Sequence, residues 1–276
     1  MSYLFTKIQL QDMGAFQAAA ARVLISAALV APAIARLPRS GIGLWAGIAL
    51  GVLGIVAYYA GFNVGLETAR ATDAGVIQAT IPAVTAVLAI AVLGERPRWQ
   101  VWAGIALSFA GVVALVTGTS AGGEGSLVGD LWIVFSVAVW SLYSVFARRL
   151  GTRASATAIT AATLGWGAVL LLPFAAFELQ SITPRLTLAG GAATLYLAVF
   201  AGAIGYWLWS YGLSRVPAAQ ATTYLNLLPV VAATSGALVL GERVGLTELL
   251  AGAVIVAGVI LATRVNSVHT RRRPPA

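Results

Sequence analysis

The sequence predicts an all-α integral membrane protein made of two inverted five-helix repeats, giving ten transmembrane helices with the first one truncated in this chain. Three observations predict this. Hydrophobic residues make up 59% of the 276 positions against 9% charged, and a spanning helix needs about 20 mostly apolar residues. Residues 58–113 lie over 205–260 at a constant offset of 147 without a gap, and a fixed-period repeat signals two copies of one structural unit. That register superimposes Gly65-Leu66 on Gly212-Leu213, Ala71 on Ala218, Pro82 on Pro229, Gly94-Glu95-Arg96 on Gly241-Glu242-Arg243, and Ala110-Gly111-Val112 on Ala257-Gly258-Val259. Arginine, finally, is distributed unevenly between alternate loops, as membrane topology requires.

The first ten residues read as the end of a helix: at an offset of 140 they fall on 141–150, matching Tyr3 to Tyr143 and Leu10 to Leu150. No basic segment followed by an apolar core and a small-residue cleavage site marks them as a signal peptide. Nine full spans follow near 16–37, 41–62, 72–93, 99–117, 129–149, 155–177, 187–210, 218–240 and 247–263. The chain accordingly divides into a first repeat (1–117), an outer connecting loop (118–128), a second repeat (129–264) and a basic cytoplasmic tail (265–276).

Orientation follows from counting basic residues in short loops. With the N-terminus cytoplasmic, the inner segments hold Arg36, Arg39, Arg96, Arg98, Arg148, Arg149, Arg153, Arg215, Arg264 and Arg271, Arg272 and Arg273. The outer loops hold Arg70, Arg185 and Arg243. This asymmetry predicts ten crossings with both termini cytoplasmic. The formal charge of +8 is then topological, and the tail suits anionic lipid rather than nucleic acid. Five helices per copy is an odd number, so the second copy enters from the opposite side. Inverted repeats are the architecture of secondary transporters, whose halves exchange conformations to open one face and then the other.

Each copy carries a central proline, a Gly-Glu ending and a closing helix with Ala-Gly-Val: Pro82, Gly94-Glu95 and Ala110-Gly111-Val112, then Pro229, Gly241-Glu242 and Ala257-Gly258-Val259. On these motifs the chain resembles the EamA-type repeat of the drug/metabolite transporter superfamily, and Arg22 matches the arginine near the start of that family's second helix. The resemblance covers almost the whole chain. It implies a ten-helix exporter of metabolites in a bacterial inner membrane, with aromatic amino-acid exporters among the similar members.

All nine carboxylates fall in loops or at helix ends. Buried acids are the usual proton relays of pumps, so exchange or gradient-driven transport is expected over proton antiport. Lys7 and Arg22 lie nearest the hydrophobic region. Each is read either as an interfacial residue reaching headgroups or as a cavity residue able to pair with a substrate carboxylate. Gln78, Pro82 and Thr85 share a helix face by i, i+4, i+7 spacing, as do Thr222, Asn226 and Pro229 in the duplicate. Gln78 and Asn226 are candidate binding residues or bridges between helices; Pro82 and Pro229 are candidate breaks, each freeing a backbone carbonyl for a ligand or a bend.

Trp45, Trp99, Trp102 and Trp132 start helices and read as interfacial belt residues. Trp140 and Tyr143, deep in their span, join Trp166 and the register pair Tyr59 and Tyr206 as aromatic candidates for binding an apolar or aromatic solute; core packing is the alternative for each. Gly43, Gly47 and Gly51 form a ridge that admits a neighbouring helix.

Rival classes lack their parts. The sequence holds no cysteine, no mid-membrane carboxylate or histidine for an intramembrane protease, and no phosphate-binding Gly-x-x-x-x-Gly-Lys loop for ATP-driven transport. No catalytic residue, metal or cofactor is expected; the expected partners are a small-molecule substrate and the lipid bilayer, with the protein a monomer or a dimer. Sugar phosphates, nucleotide sugars or drug-like compounds are the alternative cargoes, and a channel or non-transporting scaffold is the alternative of another class.

Overall fold

A computed structural model of the chain describes residues 2–34, 42–69, 71–118, 126–185, 187–228, 230–231 and 246–264. Every regular element among them is helical, the form in which an apolar segment satisfies its own backbone polar groups within lipid. In chain order these are α1 (Ser2–Asp12), α2 (Ala15–Ile34), α3 (Leu44–Thr68), α4 (Ala71–Gln78), α5 (Ile81–Leu93) and α6 (Trp99–Gly118). The second half supplies α7 (Leu127–Leu150), α8 (Ala156–Glu178), α9 (Leu188–Arg215), α10 (Ala218–Thr223) and α11 (Leu246–Thr263). Among the described residues, six segments are long and apolar enough to cross a membrane: Ala15–Pro32, Leu44–Thr68, Ala74–Leu93, Leu127–Leu150, Ala156–Glu178 and Leu188–Arg215. The chain is a helical membrane protein.

The repeat register reappears in the helix boundaries. Thr68 and Arg215 end α3 and α9, Ala71 and Ala218 begin α4 and α10, and Trp99 and Leu246 begin α6 and α11, each pair 147 positions apart. The irregularities coincide as well. In α3 the stretch Val52–Ala57 is π-helical, and in α9 so is Leu197–Ile204, which contains the equivalents of those residues, 199–204. A π-helical turn frees backbone carbonyls from their regular partners, and here each stretch receives a hydroxyl from the other half. Tyr206 donates to the carbonyl of Gly54, and Ser26 donates to that of Ala198 at 2.8 Å.

Packing is mostly between halves. α2 and the N-terminal part of α3 lie against α8, the C-terminal part of α3 and α5 against α7, α1 against α9, and α6 against α11. Glycine sets the closeness of these crossings. A Cβ built on Gly258 would stand 2.4 Å from the Ser108 backbone nitrogen, and one on Gly104 would stand 2.5 Å from the Gly258 carbonyl, so α6 and α11 meet backbone to backbone. In the glycine ridge of α3, Gly47 and Gly51 both abut Trp166. Gly43 departs from expectation: it precedes the helix and has no neighbour within reach of a Cβ. Outward faces are apolar, with Leu29, Phe135, Phe177 and Leu208 all exposed, as lipid contact requires. Trp45 and Trp99 are 80% and 71% exposed at helix starts, the positions of belt residues.

The span expected over 72–93 is interrupted. α4 stops at Gln78, Ala79 and Thr80 form a turn held by Thr80 N–H and Oγ1 bonds to the Ile77 carbonyl, and α5 starts at Ile81. This corrects the reading of Pro82 as a mid-helix break: it occupies the first turn of α5, where a missing N–H leaves no internal bond unmade. Its duplicate Pro229 lies outside the described residues. In the second half α10 passes into a 3₁₀ turn, Tyr224–Leu227, the equivalents of 77–80; residues 232–245 lie outside the description. Gly94 ends α5 with φ +65°, a left-handed conformation that glycine adopts without strain. Its amide bonds to the Ile90 carbonyl and the Glu95 amide to that of Ala89, which turns Glu95 back across the helix end.

Candidate functional site

Six aromatic rings from three helices converge at the junction of the halves. Trp140 of α7 is the hub: its ring lies 4.8 Å from Tyr58, 5.2 Å from Tyr143, 5.6 Å from Trp209 and 5.8 Å from Tyr206. Tyr59 joins through Tyr58 at 5.4 Å. Helical spacing explains the convergence, since Trp140 and Tyr143 share a face of α7, as Tyr206 and Trp209 do of α9. The two π-helical turns lie immediately before Tyr58 and Gly205, so they position the rings as well as the hydroxyls. Tyr143 is fully buried with its hydroxyl 3.4 Å from that of Thr163. The indole N–H groups of Trp140 and Trp209 are buried and have no hydrogen-bond partner among the described residues, so each can donate to an acceptor brought into the cluster.

Arg22 borders this cluster. Its guanidinium carbon sits 4.0 Å above the Tyr59 ring, while Nη1 donates to Thr6 Oγ1 and Nη2 to Asn63 Oδ1, both at 3.3 Å. Asn63 is fixed in turn by donating to the Ala15 carbonyl. The side chain is only 5% exposed, so it does not reach out from the bundle as the interfacial reading of Arg22 expects. Lys7 belongs to α1, and its side chain lies outside the described residues.

The remaining candidates are divided. Gln78 donates to Ser136 at 3.4 Å, one turn of α7 from Trp140, which puts it beside the ring cluster. Asn226 donates instead to Ser108 of α6 at 2.8 Å, in a separate core with Val112, Ile255 and Leu227. Trp166 fills the groove over Gly47 and Gly51 and makes no ring contact with the cluster among the described residues. A groove of about 330 Å³ between α6 and α11, lined by Ala110, Gly111, Ala114, Leu250 and Val254 among others, presents mainly apolar surface.

Each end of the bundle is tied by a carboxylate. At one end Glu178 accepts from the Phe16 and Gln17 amides at 3.0 and 2.8 Å, capping α2. At the other, Glu95 accepts from the Ala218 amide at 3.2 Å and pairs with Arg148 at 3.8 Å, while Arg148 donates to the Leu213 carbonyl at 2.7 Å. Burial raises the Glu95 pKa above 4.5, and the Ala218 amide and Arg148 only partly offset it. A carboxylate whose folded pKa is raised contributes stability that is fully present below its unfolded value and is lost as pH rises through the folded one. Glu95→Gln should therefore gain in Tm relative to the native protein at neutral pH, with the gain shrinking as pH falls toward 4.5. A gap independent of pH in detergent melts would refute this.

The sequence signalled Trp140, Tyr143, Tyr59, Tyr206 and Arg22, and missed Tyr58, Asn63 and the Glu95–Arg148 contact. Asn63 was discoverable: at an offset of 147 it meets Ser210, and both are buried polar residues. Ser210 bonds to Thr160 at 3.1 Å.

Residues 1–117 and 127–264 match the family model described as the EamA-like transporter family. Among curated relatives, a "Probable terminal-alkyne amino-acid exporter" of Streptantibioticus cattleyicolor is 30% identical over 215 residues, covering 78% of this chain and 71% of its own. The "Uncharacterized transporter YetK" of Bacillus subtilis is 27% identical over 201 residues, 71% of this chain and 61% of its own. The "Uncharacterized inner membrane transporter YedA" of Escherichia coli K12 is 31% identical over 194 residues, 69% of this chain and 61% of its own. The chain thus spans less than two thirds of the length of the latter two. One solved structure superimposes with a TM-score of 0.76 at 22% identity, covering 95% of this chain and 93% of that one, which establishes the shared fold.

Proposed function

The chain belongs to the EamA-like transporter family, and from that premise we propose that it exports small metabolites, amino acids with aromatic ones favoured, by alternating access in a bacterial inner membrane. The observation that carries this reading is the ring cluster, which draws Tyr58 and Tyr59 from the first half and Trp140, Tyr143, Tyr206 and Trp209 from the second. Aromatic faces at a junction of two moving halves suit an apolar or aromatic side chain. Trp140, Tyr143, Tyr59, Tyr206 and Gln78 are the proposed contacts, with Arg22 at their edge. Asn226, Trp166 and the segments around Pro82 and Pro229 are assigned to helix contacts and gating.

Ten crossings in two inverted five-helix repeats, with both termini cytoplasmic, are part of the proposal. In support, helix starts, ends and irregularities recur at one offset, and α1–α9 and α3–α7 are packed pairs with the roles of the halves exchanged. The name of the Streptantibioticus relative favours amino-acid cargo, and that of YedA the inner membrane. The carboxylates with described side chains sit at helix ends or in loops, which supports exchange or gradient-driven transport over proton antiport. The test is counterflow: proteoliposomes preloaded with unlabelled phenylalanine or tryptophan should accumulate the labelled amino acid faster than those preloaded with aliphatic or cationic solutes. Flat traces across the panel refute the aromatic cargo, and acceleration by an imposed pH gradient refutes uncoupled exchange.

A further inference from the structure

Two buried polar side chains in the seam between α1 and α2 are incompletely bonded, and they are of opposite kinds. Arg22 leaves its Nε–H without an acceptor among the described residues, and its hydrogen-bond partners there, Thr6 and Asn63, are neutral. Guanidinium presents Nε and a terminal nitrogen as a fork matched to a carboxylate, and half of that fork is unused. No carboxylate pairs with Arg22 among the described residues; the described ion pair is Arg148 with Glu95. Gln9 is 0% exposed, with its Nε2 donating to the Ala18 carbonyl at 3.0 Å and to Thr194 Oγ1 at 2.9 Å. A carbonyl only accepts, which fixes the amide orientation and leaves Gln9 Oε1 as a buried acceptor with no donor among the described residues. Thr6 and Gln9 are three apart on α1, and Ala18 and Arg22 four apart on α2, so the Arg22–Thr6 and Gln9–Ala18 bonds both cross between these two helices.

We propose that this seam is a headgroup site for a zwitterion, with Arg22 receiving the carboxylate of the cargo and Gln9 Oε1 its ammonium, while the Tyr59 and Tyr58 rings lead its side chain toward Trp140. The site rests on the exporter reading above and adds a chemical requirement to it: the cargo must carry a carboxylate. An amine lacking one meets a buried cation and is excluded. An acid lacking the amine keeps the Arg22 contact and binds more weakly, because Gln9 Oε1 stays unpartnered.

The probes are phenylalanine, 3-phenylpropionate and phenethylamine, read both by counterflow and by ligand-induced rise in Tm of the detergent-solubilised protein, since a ligand that binds only the folded state stabilises it. The expected order is phenylalanine, then 3-phenylpropionate, with phenethylamine inactive in both assays. Arg22→Gln should raise the phenylalanine half-saturation concentration at least tenfold, whereas Gln9→Leu should weaken phenylalanine and leave 3-phenylpropionate unchanged. The native ligand series decides the matter even where a variant fails to fold. Phenethylamine active as strongly as phenylalanine overturns the headgroup site while leaving the exporter reading intact. Tm shifts in the expected order without counterflow support the site and remove the carrier reading. An absence of shift and of flux for all three overturns both.

Discussion

Trp140→Ala should cut phenylalanine counterflow at least tenfold while the protein still elutes as a single species in detergent. Trp140 touches four other rings, and aromatic pairs contribute about 0.5–1.5 kcal/mol each beyond area burial. Truncation removes the surface against which an aromatic cargo stacks and leaves Tyr58 and Trp209 without their shared neighbour. A buried Trp→Ala change costs about 3–5 kcal/mol of stability, but Trp140 is only part-buried, so the folding loss should fall below that range. Trp140→Phe keeps a ring, loses the unpartnered indole N–H, and should retain more flux than the alanine variant. Equal transport by Trp140→Ala and the native protein would remove the ring cluster from the pathway.

Gly51→Val should prevent assembly of the bundle, seen as loss of the monodisperse peak in size-exclusion chromatography. A Cβ at Gly51 would lie 2.7 Å from the Gly167 backbone nitrogen and 2.8 Å from the Trp166 carbonyl carbon. Backbone cannot rotate out of the way as a side-chain end can, so α3 and α8 must separate. Overpacking of an ordinary core costs about 1–3 kcal/mol; parting two backbones also strips Trp166 and Ile55 of their contacts and should exceed it. Gly165→Ala is the control: it lies on α8, two residues from Gly167, with nothing within 4 Å of the added carbon. Its elution should match the native protein. A monodisperse Gly51→Val protein would show that this crossing is looser than its geometry requires.

How far the fold was legible depended on the kind of signal each feature leaves in the chain. Apolar length and polar punctuation mark where helices start and stop, so α6, α7 and α8 fall within two residues of expectation. The turn at Ala79 and Thr80 left no such mark, because neither residue breaks a helix by itself and Pro82 drew attention to the wrong place. The π-helical stretches were invisible for a different reason: their composition is ordinary, and their freed carbonyls are satisfied by Tyr206 and Ser26 from distant parts of the chain. In the site, ring positions deep in spans were readable from helical spacing. The partners of Arg22 and Glu95 were not, since Thr6, Asn63, Arg148 and Ala218 approach only through tertiary packing.

The paired π-helical turns also bear on ancestry. A π turn arises when one residue is added to a regular helix, and such an addition shifts every later side chain around the axis by about 100°, at 3.6 residues per turn. Here both stretches end at equivalent positions, Ala57 and Ile204, and the gapless register runs on from Tyr58 and Gly205. One insertion in a single-copy ancestor, copied when the gene doubled, accounts for both Val52–Ala57 and its counterpart within Leu197–Ile204. On that account the irregular turn is older than the two-repeat protein.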